Sequence, residues 1–128
     1  VLTIDPLPAV QGHAWLLRLV FQNLLSNALK FVAEGVSPLV QVSAQRVGSR
    51  VFVTISDNGI GIAAEDQARL FKPFSRLHLR RQYEGTGLGL AMAAEVARLH
   101  GGQVTLISEP GRGSHFTVDL PAAPDRHP

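Results

Sequence analysis

Three clusters in the sequence combine residue types and spacings that suit chemistry. Asn23, Asn27 and Lys30 follow one another at intervals of four and three, which on a helix aims two amides and an ammonium in one direction. An amide oxygen is a hard ligand. Mg²⁺ takes an octahedron of waters and phosphates completed by one or two protein oxygens, so a single asparagine is enough to hold a nucleotide-bound Mg²⁺. Taken alone, the stripe also reads as a solvated helix face, the commoner use of such a pair.

The second cluster, Asp57-Asn58-Gly59-Ile60-Gly61-Ile62, directly follows a strand pattern. Its glycines let backbone approach a flat ligand, its isoleucines offer apolar surface, and its carboxylate can accept a hydrogen bond from an exocyclic amine. A plain Asp-Asn-Gly turn has the same letters. The third cluster, Gly85-Thr86-Gly87-Leu88-Gly89, feeds a helical segment, where free N–H groups and the helix dipole suit a phosphate. With Leu at position 90 it fails the G-x-G-x-x-G dinucleotide pattern, and no G-x-x-x-x-G-K-[ST] loop occurs anywhere.

The elements that must position these clusters are legible in the hydrophobic period. Over 13–31, Gln22, Asn23, Ser26, Asn27 and Lys30 fall in one arc of about 140° at about 100° per residue, opposite Leu17, Phe21, Leu24, Leu25 and Ala28. That predicts one amphipathic helix, broken by Gly35 and Pro38. Residues 39–47 and 51–56 alternate as two strands of a hairpin through Gly48 and Ser49. Residues 1–8 fit a proline-ended edge strand, and 64–70 a short helix. Residues 72–85 are too polar for core and long for a connector, and read as a lid. An Ala-rich helix then runs to His100, stopped by Gly101-Gly102, with His100 placed to cap its last turn. Strands at 103–108 and 114–120 close the domain. Helices and strands mix without a βαβ rhythm. The predicted fold is α/β, a two-layer sandwich with a mixed sheet covered on one face by helices.

Composition narrows the classes. A chain of 128 residues with 45% hydrophobic and 17% charged content has material for one core and is not a disordered tail. Arg18, Gln22 and Asn23 interrupt the most apolar stretch, so no run suits a membrane-spanning helix. With no cysteine there is no disulfide framework, Cys-based zinc site or thiol nucleophile. A net charge of +2 argues against a nucleic-acid partner. The sequence starts at Val and carries no targeting segment, and it reads as a cytoplasmic fragment of a longer protein, with residues 1–121 as the domain and 122–128 as a tail.

In this order the clusters are far more specific than any one alone. The run Phe21 to Phe31 resembles the N box of histidine kinases, Asp57 to Ile62 the first glycine box, Leu70 to Phe74 the F box, and Gly85 to Leu90 the second glycine box. Gly111-Arg112-Gly113-Ser114-His115-Phe116 is similar to that family's closing strand, and residues 74–85 resemble the lid of bacteriophytochrome-type kinases. The chain thus resembles the catalytic, ATP-binding domain of a sensor histidine kinase, with the Bergerat-type α/β sandwich implied. On that resemblance Asn27 would ligate Mg²⁺, Asn23 and Lys30 would support the triphosphate and metal waters, and Phe31 would pack near the base. Asp57 would take the adenine amine, and Gly59 and Gly61 would shape the adenine wall. Gly85, Thr86, Gly87, Leu88 and Gly89 would hinge the lid and present amides to phosphates. Phe71 and Phe74 would anchor the lid, Arg76 would reach the γ-phosphate, and Ser114 would help position Asp57.

The implied activity is transfer of the γ-phosphate of Mg-ATP to a histidine on a separate dimerisation and phosphoacceptor domain, with a response regulator downstream. None of the five histidines begins a His-Glu or His-Asp dipeptide followed by a helical heptad, so the domain is expected to bind ATP, to lack its own acceptor, and to be monomeric within a homodimeric parent. The rivals are an ATPase of the same nucleotide fold, a serine kinase of the anti-sigma type or a mitochondrial-type dehydrogenase kinase, and a binding module regulated by nucleotide. The related ATPases carry a glutamate general base one helical turn before the metal asparagine; Asn23 stands there in this chain, and an amide cannot accept a proton at neutral pH.

Overall fold

The computed structural model describes residues 2–67 and 89–124. In chain order these form β1 (Leu2–Ile4), α1 (Ala14–Lys30), β2 (Val40–Val47), β3 (Arg50–Asp57), α2 (Ala64–Gln67), α3 (Gly89–Leu99), β4 (Val104–Ser108) and β5 (Ser114–Pro121). The five strands make one sheet in the order β1-β2-β3-β5-β4. β1 runs parallel to β2, and every other pairing is antiparallel. The sheet is therefore mixed, and α1 and α3 cover one of its faces, as the sequence pattern predicts.

Alternation decides which face is covered. Val51, Val53 and Ile55 of β3 stand in register with Leu120, Val118 and Phe116 of β5, and all six are buried. Val40 and Val42 continue the layer on β2. Against it α1 lays Leu17, Val20, Leu24 and Ala28, and α3 lays Leu90, Ala93, Val96 and Ala97. These are the one-face periods of two amphipathic helices. The small, fully buried Ala93 and Ala97 let α3 sit close. The outer face of the sheet carries polar cross-strand pairs, with Thr54 Oγ1 2.9 Å from Thr117 Oγ1 and Ser56 Oγ 2.7 Å from His115 Nδ1.

Two element ends differ from the sequence pattern for local reasons. The first strand stops at Ile4, because Asp5 makes one more bond to Val42 O and Pro6 has no N–H to continue the ladder. At the other end β5 includes Pro121, and residues beyond it stay attached: Ala122 N–H donates to Ser49 O and Ala123 N–H to Ala9 O. Residues 68–70 of the expected short helix, and the expected lid at 72–85, lie outside the described residues.

His100 does more than cap its own helix. Its Nδ1 lies 2.8 Å from Val96 O, in the last turn of α3, while Nε2 accepts the backbone N–H of His13 at 3.1 Å, at the N-terminus of α1. A carbonyl only accepts and an amide only donates, so these partners suit the tautomer with its proton on Nδ1. One side chain thus ties the end of one helix to the start of the other. The His100→Ala variant is expected to lose about 1–2 kcal/mol of stability, read from its denaturant midpoint; an unchanged midpoint would mean the brace contributes nothing.

Candidate functional site

Asp57 ends β3 directly opposite Ser114, the first residue of β5. Its Oδ1 accepts two backbone N–H groups, from Gly59 at 2.8 Å and from Ser114 at 3.2 Å. Among the described residues nothing donates to Oδ2. Burial pushes the Asp57 carboxyl above its ordinary range, against the opposing pull of the Gly59 and Ser114 amides and of nearby His115. A half-buried carboxylate held through one oxygen leaves the other able to accept a further hydrogen bond.

The loop that follows is threaded between two pieces of backbone. Ile60 N–H donates to Phe31 O at 2.9 Å, and Gly111 N–H donates to Ile60 O at 2.7 Å. Gly61 has φ +75°, and a Cβ there would stand 1.9 Å from Glu109 O; Gly113 has φ +81°, and its Cβ would stand 2.0 Å from Asp57 O. Glycine is required at both positions, by handedness and by contact. Asn58 serves the scaffold: its Oδ1 accepts Leu39 N–H at 2.8 Å and its Nδ2 donates to Ser37 O at 3.0 Å, pinning the segment before β2.

α1 joins this cluster through its C-terminus. Phe31, half-buried, follows Lys30 directly and donates its N–H to Asn27 O at 3.0 Å while its carbonyl takes Ile60. The helix bearing Asn23 and Asn27, both half-buried, is therefore hydrogen-bonded to the glycine loop. The structure thus brings together Phe31, Asp57, Gly59, Gly61 and Ser114, with Asn27 one helical turn back from Phe31 on α1. Gly89 is the first residue of α3. Phe74, Arg76, Gly85, Thr86, Gly87 and Leu88 lie outside the described residues, as does the side chain of Lys30.

Sequence reasoning missed two residues here. Ser108 Oγ accepts Ile62 N–H at 2.8 Å, donates to Gly113 O at 2.9 Å and lies 2.8 Å from Ser114 Oγ. Gln67 Nε2 donates to Ile62 O at 2.9 Å and to Ser108 O at 3.1 Å. Ser114 meets Asp57 through its backbone amide, and its hydroxyl turns to Ser108. The available signal was a serine at an inward position of each strand flanking the last turn, where an alternating pattern expects apolar residues.

The chain belongs to the family of histidine kinase-, DNA gyrase B-, and HSP90-like ATPases, whose pattern matches residues 12–124. Within that family its relatives include histidine kinases. It is 46% identical over 107 residues to the circadian input-output histidine kinase CikA of Synechococcus elongatus, covering 82% of this chain and 14% of that protein. Over 120 residues it is 38% identical to cyanobacterial phytochrome A of Nostoc sp., covering 94% of this chain and 16% of that one. The chain therefore spans about a sixth or less of these relatives. Among solved structures, the mycobacterial sensor histidine kinase MprB superposes with a TM-score of 0.78 at 26% identity, over 97% of this chain and 81% of that one. Full-length ShkA, solved in complex with AMPPNP, gives 0.75 at 31% identity, over 96% of this chain and 26% of that one. The fold is that of sensor-kinase ATP-binding domains. No helix among the described residues is long and apolar enough to cross a membrane.

Proposed function

We propose that the domain binds Mg-ATP and donates the γ-phosphoryl group to a histidine on a separate dimerising helical hairpin, as the phosphate source of a two-component pathway. The observation that carries this reading is the Asp57 carboxylate, held through Oδ1 by Gly59 and Ser114 with Oδ2 free of described partners. Adenine offers an amine to such an acceptor. The glycine loop at 59–61 forms the wall beside the base, and Phe31 packs at its edge. Asn27 supplies a hard oxygen of the kind Mg²⁺ accepts, with Asn23 and Lys30 toward the triphosphate. Bound Mg²⁺ would neutralise charge on the phosphates. The phosphate-binding role of Gly85, Thr86, Gly87, Leu88 and Gly89, and the roles of Phe74 and Arg76 toward the triphosphate, belong to this reading by resemblance to the kinases.

In the transfer, an imidazole nitrogen of the acceptor bonds to the γ-phosphorus, the bond to the β,γ-bridging oxygen breaks, and ADP leaves with that electron pair. Hydrolysis would need a base to take a proton from water, and Asn23, where ATPase relatives carry their glutamate, cannot be that base. The response regulator, the homodimeric parent and the cytoplasmic setting belong to the same reading.

Guanine would set a carbonyl oxygen against the Asp57 carboxylate, a mismatch of about 1–3 kcal/mol, so ATP is expected to bind roughly 5- to 150-fold more tightly than GTP. Calorimetry with the two nucleotides decides the adenine role of Asp57, and equal affinities would sink it. Transfer of label from ATP to a histidine hairpin supplied in trans tests the reaction; steady release of inorganic phosphate with no labelled hairpin would instead support the ATPase.

A further inference from the structure

We propose that Ser108 is a positioning residue that sets the domain's preference for adenine by holding both supports of the Asp57 carboxylate. The inference rests on the adenine role of Asp57 given above.

One hydroxyl has one proton to give and two lone pairs to fill, and the geometry around Ser108 uses all three. Its proton goes to Gly113 O at 2.9 Å; its lone pairs take Ile62 N–H at 2.8 Å and, from 2.8 Å, the hydroxyl of Ser114. Those partners sit on two different segments. Ile62 belongs to the glycine loop that carries Gly59, whose N–H is one of the two donors to Asp57 Oδ1. Gly113 and Ser114 belong to the turn into β5, and Ser114 N–H is the other donor. Ser108 lies on neither segment and touches neither the carboxylate nor anything the carboxylate would bind, yet it fixes the spacing between its two supports. Gln67 reinforces the join from the far side, giving one amide proton to Ile62 O and one to Ser108 O.

The consequence concerns the direction of Oδ2. Two N–H groups on Oδ1 define how the carboxylate plane is turned, and hence where Oδ2 points. With Ser108 reduced to alanine, Ile62 N–H and Gly113 O lose their partner and the Ser114 hydroxyl is released beside Asp57. The carboxylate can then turn, and a freed hydroxyl that both donates and accepts stands near the base. Discrimination between an amine and a carbonyl on the purine falls, since a hydroxyl serves either.

The test is calorimetry on the chain with ATP and with GTP for the native protein and for Ser108→Ala, Ser108→Cys, Ser108→Thr and Asp57→Asn, with a thermal melt of each free protein. The ATP-to-GTP affinity ratio is expected to drop about 5- to 10-fold in Ser108→Ala. It should fall partway in the nearly isosteric Ser108→Cys, whose thiol bonds weakly, and return in Ser108→Thr, which restores the hydroxyl. A merely structural serine would lower the melting temperature and weaken both nucleotides alike, leaving the ratio in place. Should Ser108→Ala fail to fold, the cysteine and threonine variants carry the same comparison. A ratio unchanged in Ser108→Ala or Ser108→Cys, while Asp57→Asn destroys it, overturns the role of Ser108 alone. A ratio unchanged in Asp57→Asn overturns the adenine reading, and this inference with it.

Discussion

Replacing Asp57 with asparagine is expected to weaken ATP roughly 5- to 150-fold and, in the same protein, to leave the fold as stable as before or more so at neutral pH. The two effects share one geometry. Gly59 and Ser114 both donate to Oδ1, so the amide oxygen must take that place and the NH₂ must take the place of Oδ2. An acceptor facing the base becomes a donor. Adenine's amine then meets another donor while guanine's carbonyl gains a partner, so the preference should shift toward GTP. Stability follows from the raised pKa, which burial causes. For an acid whose folded pKa lies above its unfolded one, the folded state holds the proton more tightly, so native stability declines as pH rises from about 4 through the raised value. The asparagine variant lacks that decline. Its melting temperature relative to the native protein should climb over the same interval and then level off. A variant that binds ATP normally, or whose relative stability falls with rising pH, contradicts the assignment.

Truncating Arg76 to alanine is expected to slow phosphoryl transfer by about 100-fold or more, the scale on which single donors to a transition state act, while ADP binding is almost unchanged. A cation aimed at the γ-phosphate matters most as charge redistributes between the bound state and the transition state, and ADP has no γ-phosphate to meet it. Arg80 is the internal control, a cation of the same segment with no such role by resemblance to the kinases. The measurement is a time course with labelled ATP and a histidine hairpin, comparing Arg76→Ala with Arg80→Ala. Equal small losses would make Arg76 one more solvated cation, and a collapse of ADP affinity in Arg76→Ala would make its role structural.

What the sequence disclosed and what it withheld follow from the range of the forces involved. Alternation in 39–47 and 51–56, and the one-sided apolar period of 13–31, are local signals of burial, and they located β2, β3 and α1 to within a residue or so. Mixed content without βαβ rhythm was enough for a helix-covered sheet. Strand order was not legible, because nothing local to Leu2–Ile4 states that it runs parallel beside Val40–Val42. At the candidate site, Asp57 and its glycines stand out because a carboxylate followed by two glycines is unusual chemistry for a strand end. Ser108 and Gln67 do not stand out, since the bonds from Ile62 to Ser108 and from Gln67 to Ser108 span 46 and 41 positions and form only once the chain has folded. The second bond of His100 was hidden for the same reason: a cap to residue 96 can be read from one helix, and a bond to residue 13 cannot.

The pairing of β3 with β5 has a consequence for the order in which the protein is made. Asp57 and Ser114 lie 57 positions apart, and closing a loop of that length costs about 3–4 kcal/mol of chain entropy, well above the cost for the turns within β2–β3 and β4–β5. Both hairpins can form while still separate, and neither contains the cradle: one brings the carboxylate with the Gly59 donor, the other brings the Ser114 donor and the Ser108 hydroxyl. During synthesis, the chain that has emerged as far as α3 therefore already contains every residue that the proposed reading assigns to the phosphates, while Asp57 has the Gly59 donor alone. On the reading proposed above, the complete cradle for the base arrives with the last strand, and a chain stopped before it carries most of the motifs but one of the two donors to Asp57.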